Sequence, residues 1–329
     1  MQGVLSFLGG LSLFLYGMHL MGETLKKMAG GRLSALLARM SRTPLRGLLL
    51  GAFVTAAIQS SSATTVMVVG FVNGGMMSLE NAVSVIMGAN LGTTATAWLL
   101  SLAGLSGGAP LLNLLKPAGL APLLSFLGIL LLFTGRKNER LCHVGTLLVG
   151  FGLLFAGMAA MSGAVEPLTD DPRFARLLTV FENPVAGLLL GAVLTALMQS
   201  SSASVGVLQA LCATGAVRIG LVVPIVMGQN IGTCVTALLS GVGASRNAKR
   251  ASLLHLYFNV IGAVVLLAVF YLLRFLGVVD AAVAASVPSV ALIHTLFNLA
   301  ATAILLPFRK GLLHLTDLTL KRRKKVELN

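Results

Sequence analysis

The chain of 329 residues is 56% hydrophobic and only 10% charged, with a mean hydropathy of +0.93. Soluble domains carry roughly a quarter charged residues, so a water-soluble helical protein is excluded and the chain reads as living in lipid. The net charge of +14 does not mark a nucleic-acid binder, because the 24 Lys and Arg fall in short segments between apolar runs and not along one face.

Apolar stretches long enough to cross a hydrocarbon core of roughly 30 Å are predicted at 3–22, 79–103, 118–134, 143–163, 218–241, 252–274 and 289–307. No Lys or Arg precedes the first, and a basic segment follows it. That pattern reads as an uncleaved anchor with its N-terminus outside, weighed against a cleaved signal peptide. The arm 23–46 holds Lys26, Lys27, Arg32, Arg39, Arg42 and Arg46 against Glu23 alone. The loops 136–143 and 246–250 are also basic, as is the tail, whereas 166–182 sets Glu166, Asp170, Asp171 and Glu182 against Arg173 and Arg176. Positive segments stay cytoplasmic, so the expectation is a bacterial inner-membrane protein with a cytoplasmic C-terminus and the 166–182 loop outside. The tail run Lys321 to Lys325 reads as a topology and anionic-lipid anchor.

The chain repeats itself at an offset of 140 residues. Gln59-Ser60-Ser61-Ser62-Ala63 returns as Gln199-Ser200-Ser201-Ser202-Ala203, and Met87-Gly88-Ala89-Asn90-Leu91-Gly92-Thr93 as Met227-Gly228-Gln229-Asn230-Ile231-Gly232-Thr233. Pro44 meets Pro184, and Gly17-Met18 meets Gly157-Met158, without a gap. This period is that of a half-molecule duplication, not of a solenoid. Because the basic arm of the first half corresponds to the acidic arm of the second, the two copies are expected to be inverted, with three crossings between the arms. The parity works only if 47–75 and 187–215 enter the membrane and return to the same side. Each is then a re-entrant hairpin: an apolar half-helix, an interruption at the serines, and a second half-helix capped by serine. Half-helix N-termini aimed inward favour an anion.

The expected fold is therefore an all-α polytopic membrane protein of two inverted-topology repeats, each with a re-entrant helical hairpin and an unwound transmembrane helix. Its parts are a first repeat at 1–103, a connecting segment with one helix at 104–142, a second repeat at 143–245, two further helices at 246–308 and a basic tail at 309–329. The unwound helices are expected at Gly88 to Thr94 and Gly228 to Cys234, where paired glycines around Asn90 and Asn230 would free carbonyl oxygens, neutral hard ligands suited to a weakly bound alkali cation. No Asp or Glu lies mid-span, which disfavours a proton relay.

Two Gln-Ser-Ser-Ser hairpins, each followed by Gly-x-Asn-x-Gly-Thr over about residues 5 to 308, resemble the type II sodium/phosphate cotransporter family in a short bacterial form. The resemblance implies phosphate bound between the hairpin tips by Gln59, Ser60, Ser61, Ser62, Gln199, Ser200, Ser201 and Ser202, with Asn90 and Asn230 opposite. It implies sodium as the coupling ion among Ser60, Thr64, Asn90, Thr93, Ser200, Ser204, Asn230 and Thr233, and no other cofactor. The chain lacks the large extracellular loop of animal members and the C-terminal regulatory helical domain of many bacterial ones.

Other functions stay in view: symport of another oxyanion such as sulfate, arsenate or a dicarboxylate, or an anion channel built on the same hairpins. ATP-driven transport has no Gly-x-x-x-x-Gly-Lys-Ser/Thr loop to support it, and a membrane hydrolase has no convergent Ser/His/Asp or His/Glu set. His255-x-x-x-Asn259 and His294-x-x-x-Asn298 have a spacing that metal ligands also use, but structural polar contacts are the favoured reading. His19, His143 and His314 support no functional claim, and Cys142, Cys212 and Cys234 read as small apolar packers.

Overall fold

The computed structural model describes residues 2–29, 43–102 and 117–320, the last stretch with side chains from Ala121 onward. Arg32, Arg39 and Arg42 of the basic arm and the tail run Lys321 to Lys325 lie outside the described residues. The elements are α1 (Gln2–Ala29), α2 (Pro44–Ile58), α3 (Ser61–Asn73), α4 (Leu79–Ser101), α5 (Pro117–Thr134), α6 (Glu139–Val165), a 3-10 turn (Glu166–Leu168) and α7 (Pro172–Phe181). There follow α8 (Pro184–Met198), α9 (Ser201–Cys212), α10 (Ile219–Ser240), α11 (Arg246–Phe275), α12 (Val287–Leu305) and α13 (Arg309–Thr319). Apart from one antiparallel bridge between Arg218 and Ala284, every described element is helical.

Six of these helices, α1, α4, α6, α10, α11 and α12, are long and apolar enough to cross a membrane. They coincide with six of the seven expected spans, and the seventh is the shorter apolar helix α5. The length is set locally. Thr43 and Asn183 cap α2 and α8 with Pro44 and Pro184 in the first turn, where a missing amide costs nothing, and Ser78, Asn138, Ser245 and Ser286 cap α4, α6, α11 and α12.

One expectation is corrected here. The Gly-x-Asn-x-Gly spans do not unwind: α4 and α10 run unbroken through both motifs. Their glycines serve close approach instead, since a Cβ on Gly88 would stand 2.0 Å from the carbonyl oxygen of Leu48, and one on Gly92 would stand 2.4 Å from that of Ala52. The second half repeats the seam, with Gly228 at 2.0 Å from Leu188 O and Gly232 at 2.4 Å from Ala192 O. Two helices with small residues in register bring their backbones together, the usual way to gain dispersion where lipid supplies no hydrophobic drive.

The repeat is visible in three dimensions. α2 lies along α4 as α8 lies along α10, and the halves interlock reciprocally, α3 packing on α10 and α9 on α4. α1 and its equivalent α6 are neighbours, and their glycines define the direction: Gly10 meets Gly157 while Gly17 meets Gly150. As numbers rise along α1 they fall along α6, so the two equivalent helices run antiparallel. α13, which falls within the expected basic tail at 309–329, is docked on α11. Asp317 bridges Arg246 at 3.0 Å and Arg250 at 2.6 Å, and Arg250 also donates to Thr316 Oγ1 and the Leu313 carbonyl.

Candidate functional site

Each Gln-Ser-Ser-Ser sequence breaks a helix by the same local chemistry. Gln59 and Gln199 close α2 and α8 in the left-handed region, at φ 55° and φ 50°, which no other non-glycine residue among the described ones adopts. That conformation costs an L-residue roughly 1–2 kcal/mol, and it ends the first helix. Ser60 and Ser200 are extended and cap the next helix, each Oγ accepting from the amide three residues on, Ala63 and Ala203, at 3.2 Å. In the first half Thr55 Oγ1 donates to Thr64 Oγ1 at 3.0 Å. Nine residues of continuous helix would part them by about 13 Å, so α2 and α3 fold back as a hairpin.

The two hairpin tips meet at one cavity of about 360 Å³, whose wall includes Gln59, Ser60, Gln199 and Ser200 together with His19, Glu23 and Lys26 of α1. This brings the four leading residues of both motifs to a single space. Ser61, Ser62, Ser201 and Ser202 begin the second half-helices behind the caps and do not line it. Ser60 and Ser200, the N-caps of α3 and α9, both line it, so the positive ends of two helices border the space and favour an oxyanion.

The other expected site residues lie behind this cavity, buried and not on its wall. Thr93 and Thr233 bond to carbonyls one turn back, Ala89 at 3.2 Å and Gln229 at 2.9 Å. Thr64 is held by Thr55, and Ser204 Oγ accepts from Gln229 Nε2 at 3.0 Å. Asn230 Nδ2 donates to the Val226 carbonyl at 2.9 Å. Asn90 is committed on both sides: its Oδ1 meets His255 Nε2 at 2.9 Å and its Nδ2 donates to Asn259 Oδ1 at 2.7 Å. Asn259 in turn donates to Cys234 Sγ and the His255 carbonyl. The His255–Asn259 pair is thus a structural contact that ties α11 to α4, and among the described residues no His/Cys/Asp/Glu group could hold a metal ion.

His19, Glu23 and Lys26 were not expected here. Leu15, His19, Gly22 and Lys26 follow one another at helical spacing, which is the signal for one face of α1. Glu23 and Lys26 fall in the basic arm when the first span ends at residue 22; α1 continues to Ala29.

The Na+/Pi-cotransporter family model matches this sequence twice, over residues 13–163 and again over 156–293. The chain belongs to the Na+/Pi-cotransporter family. A Bacillus subtilis relative, the uncharacterized protein YqeW, is 30% identical over 305 residues, covering 92% of this chain and 94% of its own length. The Escherichia coli protein YjbB, provisionally named for inorganic phosphate export, is 28% identical over 94% of this chain, which spans only 54% of its length. The mouse sodium-dependent phosphate transport protein 2A is 31% identical over 147 residues, 40% of this chain and 23% of that protein. No solved structure matches. Family membership and six membrane-capable helices make this a multi-pass membrane protein.

Proposed function

We propose that the chain is a secondary active transporter that couples inorganic phosphate to sodium, with phosphate held between the two hairpin tips and exposed alternately to either side of the inner membrane. The observation that carries the reading is the shared cavity: Gln59, Ser60, Gln199 and Ser200, 140 residues apart in pairs, converge on one space lined by hydroxyls, amides and two helix N-termini. An oxyanion of phosphate's size fits such a space, and at the hairpin tips the donors are neutral.

Three observations support the rest. The antiparallel packing of α1 against α6, with the basic arm after one and the acidic arm after the other, supports inverted repeats, re-entrant hairpins and a cytoplasmic basic arm. Buried acceptor oxygens without a partner beside the second hairpin, Gln229 Oε1 and Thr195 Oγ1, support a sodium ion bound by neutral oxygens near Ser204. The names of the relatives supply phosphate and sodium together.

The test is radiolabelled phosphate flux in proteoliposomes, with and without an imposed sodium gradient and with sulfate, arsenate or a dicarboxylate as competitor. Accumulation above equilibrium only with the gradient, relieved by phosphate and arsenate but not by sulfate, is the expected result. Equal flux under both conditions removes sodium coupling, and downhill flux alone would make the protein a channel.

A further inference from the structure

The cavity is not symmetric, although the residues that form its tips are. Gly22 of α1 lines the cavity and faces open space, and Gly70 of α3, which does not line it, also faces open space. Their equivalents 140 residues on are Ser162 and Ala210, and these touch: Ser162 Oγ donates to the Ala210 carbonyl at 2.7 Å, fastening α6 to α9. α6 packs on α9, whereas α1 packs on α2 and on α9 and has no comparable packing on α3. The cavity therefore extends along α1, from Leu15 to Lys26, and no residue of α6 lines it.

The α1 side is also the charged side. α1 contributes Lys26 and Glu23, ion-paired at 2.8 Å with both side chains a little over 40% exposed, and His19 one turn earlier. The equivalent positions are Glu166, in the 3-10 turn after α6, and Gly163 and Ala159 on α6, which offer an anion no cation. Resting on the phosphate reading, we propose that Lys26 is a substrate-positioning residue that acts only from the membrane face at the C-terminal end of α1: the entering oxyanion draws its ammonium away from Glu23, and none of the three equivalent positions in the second half carries a cation. The half-exposed pair suits this exchange, because a surface ion pair is worth little and a dianion competes with a carboxylate for the same ammonium.

The experiment uses the full chain in proteoliposomes of determined orientation, with the apparent KM for phosphate measured separately from each side. Lys26→Gln is expected to raise KM about three- to tenfold from the face at the C-terminal end of α1, the size of one unit charge across a few ångströms of wet protein. KM from the opposite face stays put. Lys26→Arg restores the value, and Glu23→Gln lowers it by freeing the ammonium. A second measurement needs no transport: a cysteine at Gly22 reacts with a membrane-impermeant thiol reagent and is protected by inorganic phosphate. A parent chain that moves no phosphate ends the phosphate reading and this proposal with it. A parent that moves phosphate while Lys26→Gln leaves both KM values equal, or raises both alike, overturns this proposal alone.

Discussion

A Cβ placed on Gly10 would stand 2.9 Å from the carbonyl oxygen of Gly157, and one placed on Gly157 would stand 2.5 Å from the carbonyl oxygen of Gly10. The contact is reciprocal, and its repeat image, Gly17 against Gly150, is reciprocal too. Neighbouring backbone cannot retreat as a side chain can. Replacing Gly157 by Leu is expected to cost about 3 kcal/mol or more through overpacking, read as a lowered unfolding temperature in detergent. Gly9→Leu, where nothing lies within 4 Å, is expected to leave it unchanged.

The left-handed turns at Gln59 and Gln199 yield a second expectation. Gly tolerates that backbone freely, so Gln199→Gly keeps the unfolding temperature while removing an amide from the cavity wall, and phosphate binding weakens. Gln199→Val loses stability as well, by about 1 kcal/mol or more, because a β-branched side chain resists positive φ. Equal stability of the two variants would show that the turn is not held in this conformation.

Ser60 and Ser200 each cap a helix and line the cavity, and both roles are lost in alanine variants. Ser60→Ala and Ser200→Ala are each expected to lose about 0.5–2 kcal/mol of stability and to weaken phosphate transport roughly five- to 150-fold in apparent affinity, given about 1–3 kcal/mol for a buried polar partner left unmade. Neither hairpin is dispensable. Unchanged apparent affinity for phosphate and sodium in Ser200→Ala would make the second hairpin a scaffold.

The Asn90, His255 and Asn259 network separates structure from binding. Asn90→Ala strands His255 Nε2 and Asn259 Oδ1 inside the protein, an expected loss of about 1–3 kcal/mol for each unpaired group. Asn90→Ala with Asn259→Ala is expected to cost less than the two single changes added, since they share one bond. In chain that remains folded the apparent KM for phosphate stays close to that of the parent; a rise of tenfold or more would return Asn90 to the binding site.

Sidedness is checked by single cysteines. One at Lys27, at the end of α1, is expected to be labelled only from the cytoplasm, and one at Asp171, before α7, only from outside. Labelling of both from one face would remove the inverted repeat and the re-entrant hairpins with it.

Local signals in the sequence determined much of this molecule. Runs of apolar residues located the six membrane-capable helices, because lipid solvation acts on each segment by itself, although α1 and α11 extend beyond those runs to Ala29 and Arg246. Serine after an apolar half-helix foretold the breaks at Ser60 and Ser200, because a cap satisfies amides three residues away, and the 140-residue offset foretold that the halves share an architecture. What only the tertiary structure decided is how buried polar and glycine positions are used. Gly88 and Gly92 carry the same letters whether a helix unwinds or a neighbour approaches, and the carbonyls of Leu48 and Ala52 decided for approach. Asn90 can bind a ligand or a side chain, and His255, 165 residues away in sequence, took it. Glu23 and Lys26 read as topology until the fold turned their face of α1 towards the hairpin tips. In each case the residue type states which partners are chemically possible, and distance in space selects one.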